Sequence, residues 1–148
     1  MKFPLALLLF FVGVSVLAAD DKDAAKKDLA KFQGTWIFES REFEGEREPV
    51  EHYKACKLFV KDNTLTLVES FGIIYRATIK LDPTKELKEI DVTFTGGPEE
   101  GKTRLGIYEL DDDTYRICIN VKGNDRPTEF TAKKDSGQAL DILKKVRR

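Results

Sequence analysis

The sequence predicts a mostly-β protein: an antiparallel up-and-down barrel of eight to ten short strands preceded by one short helix. Three observations carry this. From Thr35 onward, apolar and polar residues alternate with a period of two. Turn-forming clusters recur every eight to twelve positions. Beyond the N-terminal region, no stretch with helical spacing is long enough to serve as a crossover, so consecutive strands must be antiparallel neighbours. Closing the ribbon into a barrel removes its exposed edges, and a two-sheet sandwich is the alternative.

The elements follow in chain order. Met1-Lys2-Phe3-Pro4 opens the chain, Leu5 to Leu17 carries no charge, and Ala18-Ala19 precedes an acidic stretch from Asp20. A basic start, an apolar run and small exit residues are the parts of a secretory signal. The run is shorter than the ~20 apolar residues that a membrane-spanning helix needs. Residues 1–19 therefore read as a cleaved signal peptide, 20–28 as a polar linker and helix start, and 29–148 as the barrel domain, secreted or periplasmic and not membrane-embedded. Ala25, Leu29 and Phe32 recur at helical spacing before Gly34, predicting a helix over 23–32. It would cover one barrel opening.

Alternation then marks strands around Ile73–Leu81, Ile90–Phe94 and Tyr115–Val121. Between strands lie Asp62-Asn63, Ser70-Phe71-Gly72, Asp82-Pro83-Thr84, Gly96-Gly97-Pro98, Asp111-Asp112-Asp113, Gly123-Asn124-Asp125 and Asp135-Ser136-Gly137, all residues suited to turns. Pro49 to Tyr53 reads as one extra helical turn.

Composition narrows the functional classes. The formal net charge of −1 becomes −2 once Lys2 leaves with the signal, and acids and bases are interleaved. No basic face invites nucleic acid. The single histidine, His52, has no nucleophile motif beside it, and no cofactor-binding or metal-ligand spacing is present, so a hydrolase ranks third among the readings. Asp111-Asp112-Asp113 reads as a hairpin turn in preference to a calcium loop, and Glu99-Glu100 as a solvated loop. Cys56 and Cys118 can pair in an oxidising compartment, yet strand parity puts one thiol inside the barrel and the other outside, which leaves the disulfide open.

Gly34-Thr35-Trp36, where the first strand begins, is similar to the lipocalin Gly-x-Trp signature. The wider set includes Leu-Ala-Lys-Phe-Gln-Gly-Thr-Trp (29–36), Lys-Leu-Asp-Pro-Thr-Lys (80–85), Gly-Ile-Tyr-Glu-Leu-Asp-Asp-Asp-Thr-Tyr-Arg-Ile-Cys (106–118) and Asp-Arg-Pro-Thr-Glu-Phe (125–130). With Ser136-Gly137-Gln138 and Leu-Lys-Lys (143–145), it resembles the small secreted lipocalin-like domain of unknown function multiplied in planctomycetes. That resemblance implies a lipocalin-like barrel outside the cytoplasm and no particular activity. Asp112, where the family turn usually has Gly, and Cys56 depart from its pattern.

Barrel geometry adds that the last strand should lie beside the first. Lys145 or Arg147 would then stack on Trp36 at the floor next to Gly34, with Arg126 as the rival cation. Trp36, Phe38, Phe59, Tyr75, Phe94 and Phe130 are expected to face inward. Arg126 either pairs with Glu129 at a strand entry or stands at the barrel mouth to bind a ligand anion. Ten phenylalanines, less Phe3, Phe10 and Phe11 of the signal, leave seven, which with one tryptophan could fill the barrel. Two functions remain: a monomeric binder of a small apolar or amphipathic ligand, or a packed cell-envelope module that binds another protein.

Overall fold

The computed structural model describes the backbone of Val14–Arg147 and the side chains of Asp20–Arg147. Most of the expected signal peptide lies outside the described residues. Helix α1 spans Val14–Phe32, so the stretch read as a linker is helical. The strands are β1 (Gly34–Phe43), β2 (Glu46–Arg47), β3 (Lys57–Lys61), β4 (Thr64–Val68), β5 (Ile74–Asp82), β6 (Glu89–Gly96), β7 (Thr103–Leu110), β8 (Thr114–Asn120) and β9 (Gln138–Lys145). A helical turn, α2, occupies Val50–Tyr53, as the sequence suggested.

Every neighbouring pair is antiparallel, and β9 returns to pair with β1 from Trp36↔Lys145 to Phe43↔Ala139. Eight strands thus close an up-and-down barrel, with β2 a short hairpin extension of β1. Closure leaves the barrel without a free edge.

Alternation fills the interior. Leu58 and Val60, Leu65, Ala77, Ile79 and Leu81, Ile90 and Val92, Ile117 and Leu143 form the buried core. One end is plugged. Phe32, at the end of α1, packs against Trp36, Tyr108 and Tyr115 with ring centroids 6.3, 5.7 and 4.5 Å away. The Trp36 indole donates to the Phe32 carbonyl at 2.8 Å. Asp28 fixes the helix to the wall by accepting from Lys88 Nζ at 2.9 Å and from the Tyr108 hydroxyl at 2.7 Å. Gly34 bridges helix and strand at φ +119°, a conformation only glycine adopts freely.

The other end is the mouth, where the connections are longer. The longest, residues 122–137, contains no strand. It is a strap across the outer wall, so the strand expected to begin near Asp125–Phe130 does not exist. The turn signals Gly123-Asn124-Asp125 and Asp135-Ser136-Gly137 mark its two ends. Asn120 organises the first by accepting from the amides of Lys122 and Gly123 and donating to the Asp125 carbonyl. Val121 N–H donates to the Gly137 carbonyl and ties the ends together.

Among the described residues, no helix is long and apolar enough to cross a membrane.

Candidate functional site

A cavity of about 270 Å³ occupies the barrel between the aromatic plug and the mouth. Its lower wall is apolar, with Phe38, Leu58, Leu65, Leu67, Val92, Phe94 and Leu143. Each takes its place from strand alternation, and Tyr75 packs edge-on to Phe94 with centroids 6.0 Å apart. Pockets of this lining and size, near the lower end of the usual ~300–1,000 Å³, suit small molecules.

Toward the mouth the wall becomes ionic: Arg41, Glu69, Glu99, Arg104 and Asp141 all line the cavity. Arg41 arrives there through a β-bulge. The β1–β9 register slips between Phe38 and Ser40, so one residue of β1 is left over. Phe38 and Arg41, three apart in sequence, consequently share the inner face. Arg41 Nη1 reaches both Glu69 carboxylate oxygens at 3.1 Å, and Nε lies 3.4 Å from Asp141 and 3.7 Å from Glu48. Its guanidinium also sits 4.8 Å from the Phe38 ring centroid. Arg104 gives Nε and Nη2 to one oxygen of Glu99, at 3.2 and 2.8 Å.

Burial and charge set the protonation of this wall. Burial pushes the Asp141 carboxyl up to about 6, against the pull of Arg41 toward the charged form. Burial, with Glu69 and Glu99 nearby, raises the Tyr75 hydroxyl. Arg41 is raised by Asp141, Glu69 and Glu48 despite its burial. A second recess of about 230 Å³ shares Arg41, Val121, Ala139 and Asp141 with the first, so the ion pair is the wall between them.

Tyr115 lies at the foot of the cavity, alternating with the inward Ile117 and Ile119. It is buried, and among the described residues its hydroxyl has no hydrogen-bond partner. Burial raises it well above the usual phenol range.

The sequence-derived residues divide into two sets. Phe38, Tyr75 and Phe94 line the cavity; Trp36 does not, since it is packed into the plug beneath with Phe32 and Tyr115. Lys145 is the cation over the indole, with Nζ 5.1 Å from the ring centroid, and it donates to the Lys31 carbonyl at 2.7 Å. Arg147 instead pairs with Asp113 at the surface. Asp111 accepts from the amides of Asp113 and Thr114, which makes the aspartate triplet a side-chain-stabilised turn.

Three expected positions are corrected. Phe59 faces outward and is 40% exposed, because Leu58 and Val60 on either side take the interior of β3. Phe130 belongs to the strap and lies under Arg116, whose guanidinium is 4.0 Å from its centroid on the outer wall. Arg126 stands neither at the mouth nor against Glu129. It donates from Nη1 to the carbonyls of Ile90 and Gly106 at 3.1 and 2.9 Å, and from Nη2 to Asp91 at 2.7 Å. Outward-facing Glu89 and Asp91 supply the carboxylates that hold it on the outside. Glu129 pairs with Lys133, and Glu99, read as solvated, belongs to the cavity.

Both cysteines are buried and free. Cys56 donates to Glu69 at 3.1 Å, and Cys118, on the outer face, donates to the strap carbonyl of Thr131 at 3.3 Å. Burial and, for Cys56, the Glu69 carboxylate hold the thiols in the protonated form. Among the described residues, no three His, Cys, Asp or Glu side chains converge to hold a metal ion.

Comparison with known proteins finds no matching protein family, no matching curated protein and no matching solved structure.

Proposed function

We propose that this chain is an extracytoplasmic binding protein that carries a small amphipathic molecule inside its barrel. The observation that carries the reading is the cavity: apolar below, ionic above and open in a barrel whose other end is plugged. A packed structural module has no need of buried ions above an apolar void, since unpaired or imperfectly paired charge in a low-dielectric interior is costly. The signal-like Met1–Ala19 and the resemblance to secreted lipocalin-like domains support the compartment. The reading is of a binder, not an enzyme, because Cys56 is held as a thiol by its surroundings and each arginine of the cavity is already engaged by a carboxylate.

Native mass spectrometry of the protein purified from its own host tests this. A reproducible extra mass that is lost on denaturation is expected. A bare chain that also fails to take up an uncharged environment-sensitive dye would sink the proposal.

One observation favours a second reading, a protein-interaction module. The mouth turn Ser70–Gly72 holds Phe71 fully exposed at φ +68°, followed by the exposed Ile73 and Ile74. A stoichiometric protein partner recovered with the wild type and lost in Phe71→Ser would favour it.

A further inference from the structure

The fold sorts by charge what the sequence interleaves. Strand alternation sends Lys57 and Lys61 of β3, Arg76 of β5 and Lys144 of β9 to the outside of the barrel, where all are exposed. Among the described residues none of these cations forms an ion pair, whereas Arg41, Arg104, Arg116 and Arg126 are each engaged by a carboxylate. Glu39 and Asp62 stand only at the borders of this wall, one beyond Ile37 and the other beyond Lys61. The opposite wall carries Glu89, Asp91 and Glu109.

Exposed apolar side chains fall on the same wall. Strand pairing sets a row of Lys144, Ile37, Lys57, Val68 and Ile74 across β9, β1, β3, β4 and β5, and Phe59 and Arg76 share the next row. Strands about 4.8 Å apart make the row about 19 Å wide along the wall. Ile37, Phe59 and Ile74 are exposed there, and the mouth turn continues the surface with Ile73 and the fully exposed Phe71. Apolar surface gathered in one place and rimmed by polar groups marks an interaction site.

Charge complementarity selects the occupant. The whole chain has a net charge of −1, so attraction to an anionic partner depends on this segregated wall. The outside of a closed barrel is convex and gives a nucleic-acid or polysaccharide strand no groove to follow. Ile37 and Ile74 have no ring on which a base or sugar could stack. Hydrocarbon set among cations matches a bilayer surface, where acyl chains lie beneath anionic headgroups.

We infer that this wall docks on an anionic lipid surface, with Lys57, Lys61, Arg76 and Lys144 against the headgroups and Ile37, Phe59 and Ile74 against the acyl boundary. Docking brings the mouth turn after Glu69, at the edge of the cavity opening, to the lipid. The inference does not depend on what the cavity carries.

Vesicle flotation of the protein purified from its own host tests it. Vesicles of phosphatidylcholine with about one-third phosphatidylglycerol should bind the protein, less so as salt rises, and phosphatidylcholine alone should not. Lys57→Gln, Lys61→Gln and Arg76→Gln should each weaken binding about fivefold, as for one cation at an anionic surface, and together abolish it. Lys85→Gln, Lys133→Gln and Lys134→Gln combined make the same change in net charge elsewhere and should leave most of the binding intact. In Phe59→Trp, brominated acyl chains should quench the added emission only in the anionic vesicles. Thermal melts guard against misfolding, and the wild-type comparison of the two vesicles is decisive without any variant. Failure to bind anionic vesicles overturns the inference, as does equal binding to neutral ones. An equal loss in the control triple also overturns it, because the attraction is then general. So does a single-stranded oligonucleotide or polygalacturonate that binds more tightly than the vesicles and displaces them. Dye uptake by the cavity reports on carriage separately.

Discussion

Tyr115 combines two properties that pull in opposite directions: its ring is part of the aromatic plug beneath Phe32 and Trp36, and its hydroxyl is buried without a partner. Removing an unsatisfied buried hydroxyl relieves a desolvation cost, so Tyr115→Phe should stabilise the ligand-free protein by about 1 kcal/mol in urea denaturation. A loss of stability would mean that the hydroxyl is satisfied in solution. Asp141 gives a pH prediction. Its carboxyl is pushed up to about 6 from an ordinary 3.8, in surroundings that include Arg41, Glu48 and Glu69. Between about pH 4 and about pH 6 the folded state binds this proton more tightly than the unfolded chain, so its contribution to stability is lost as pH rises. Denaturation of wild type and Asp141→Asn across that window should show the wild type falling relative to the variant, then levelling above it. At this scale the sequence was only half legible. Phe38, Tyr75 and Phe94 followed from alternation. Phe59 did not, because Leu58-Phe59-Val60 is apolar at every position and either phase fits. Arg41 was hidden by the bulge, which shifts the parity of β1 midway. Asp141 did leave a signal, a lone acid between Ala139 and Leu143 on the inward face of β9.

The strap is held by polar contacts along its length, with Arg126 the largest single anchor beside the Thr131 carbonyl, which accepts from Cys118 and Gln138, and the Ala132 carbonyl, which accepts from Gly45 N–H. Arg126 reaches two backbone carbonyls and two carboxylates on β6 and β7, and elsewhere along the strap Pro127 and Ala132 are buried. Arg126→Ala removes all of its contacts at once, and hydrogen bonds made by a charged group contribute about 1.5–3 kcal/mol each before compensation by water. Hydrogen exchange in residues 122–137 should accelerate while the barrel ladders stay protected. Cys118, which has no exposed surface beneath the strap, should become reactive to alkylating reagents. Unchanged protection would show that the strap is anchored elsewhere. Most other elements could be read in advance, including α2 and the hairpin turns, since each depends on a few neighbouring residues. The strap could not. Its composition is that of a strand bounded by turns, and the partners that hold it on the outside, such as Glu89, Asp91 and Gly45, lie far away in the sequence.

Closure is a property of the whole chain, because β9 pairs with both β1 and β8. Deleting residues 138–148 would open two edges together and uncover the core at Trp36, Tyr115 and Ile117. Such a truncation should not leave a seven-strand remnant; loss of the near-ultraviolet tyrosine and tryptophan signal and strong dye binding are expected by circular dichroism and fluorescence. A cooperatively melting remnant would refute this. The barrel itself was legible, since alternation, short turns and the absence of crossovers leave few ways to dispose of sheet edges. Whether it was filled or hollow was not, for that depends on how side chains from eight strands meet.

The strap also governs how the molecule meets its own copies. Ile107 and Cys118 point away from the barrel and would form a greasy spot on the outer wall if the strap were lifted. The molecule would then carry a self-adhesive face. By folding its longest connection back over that spot, the chain keeps the face covered, with Arg126 one of several contacts that hold the cover down.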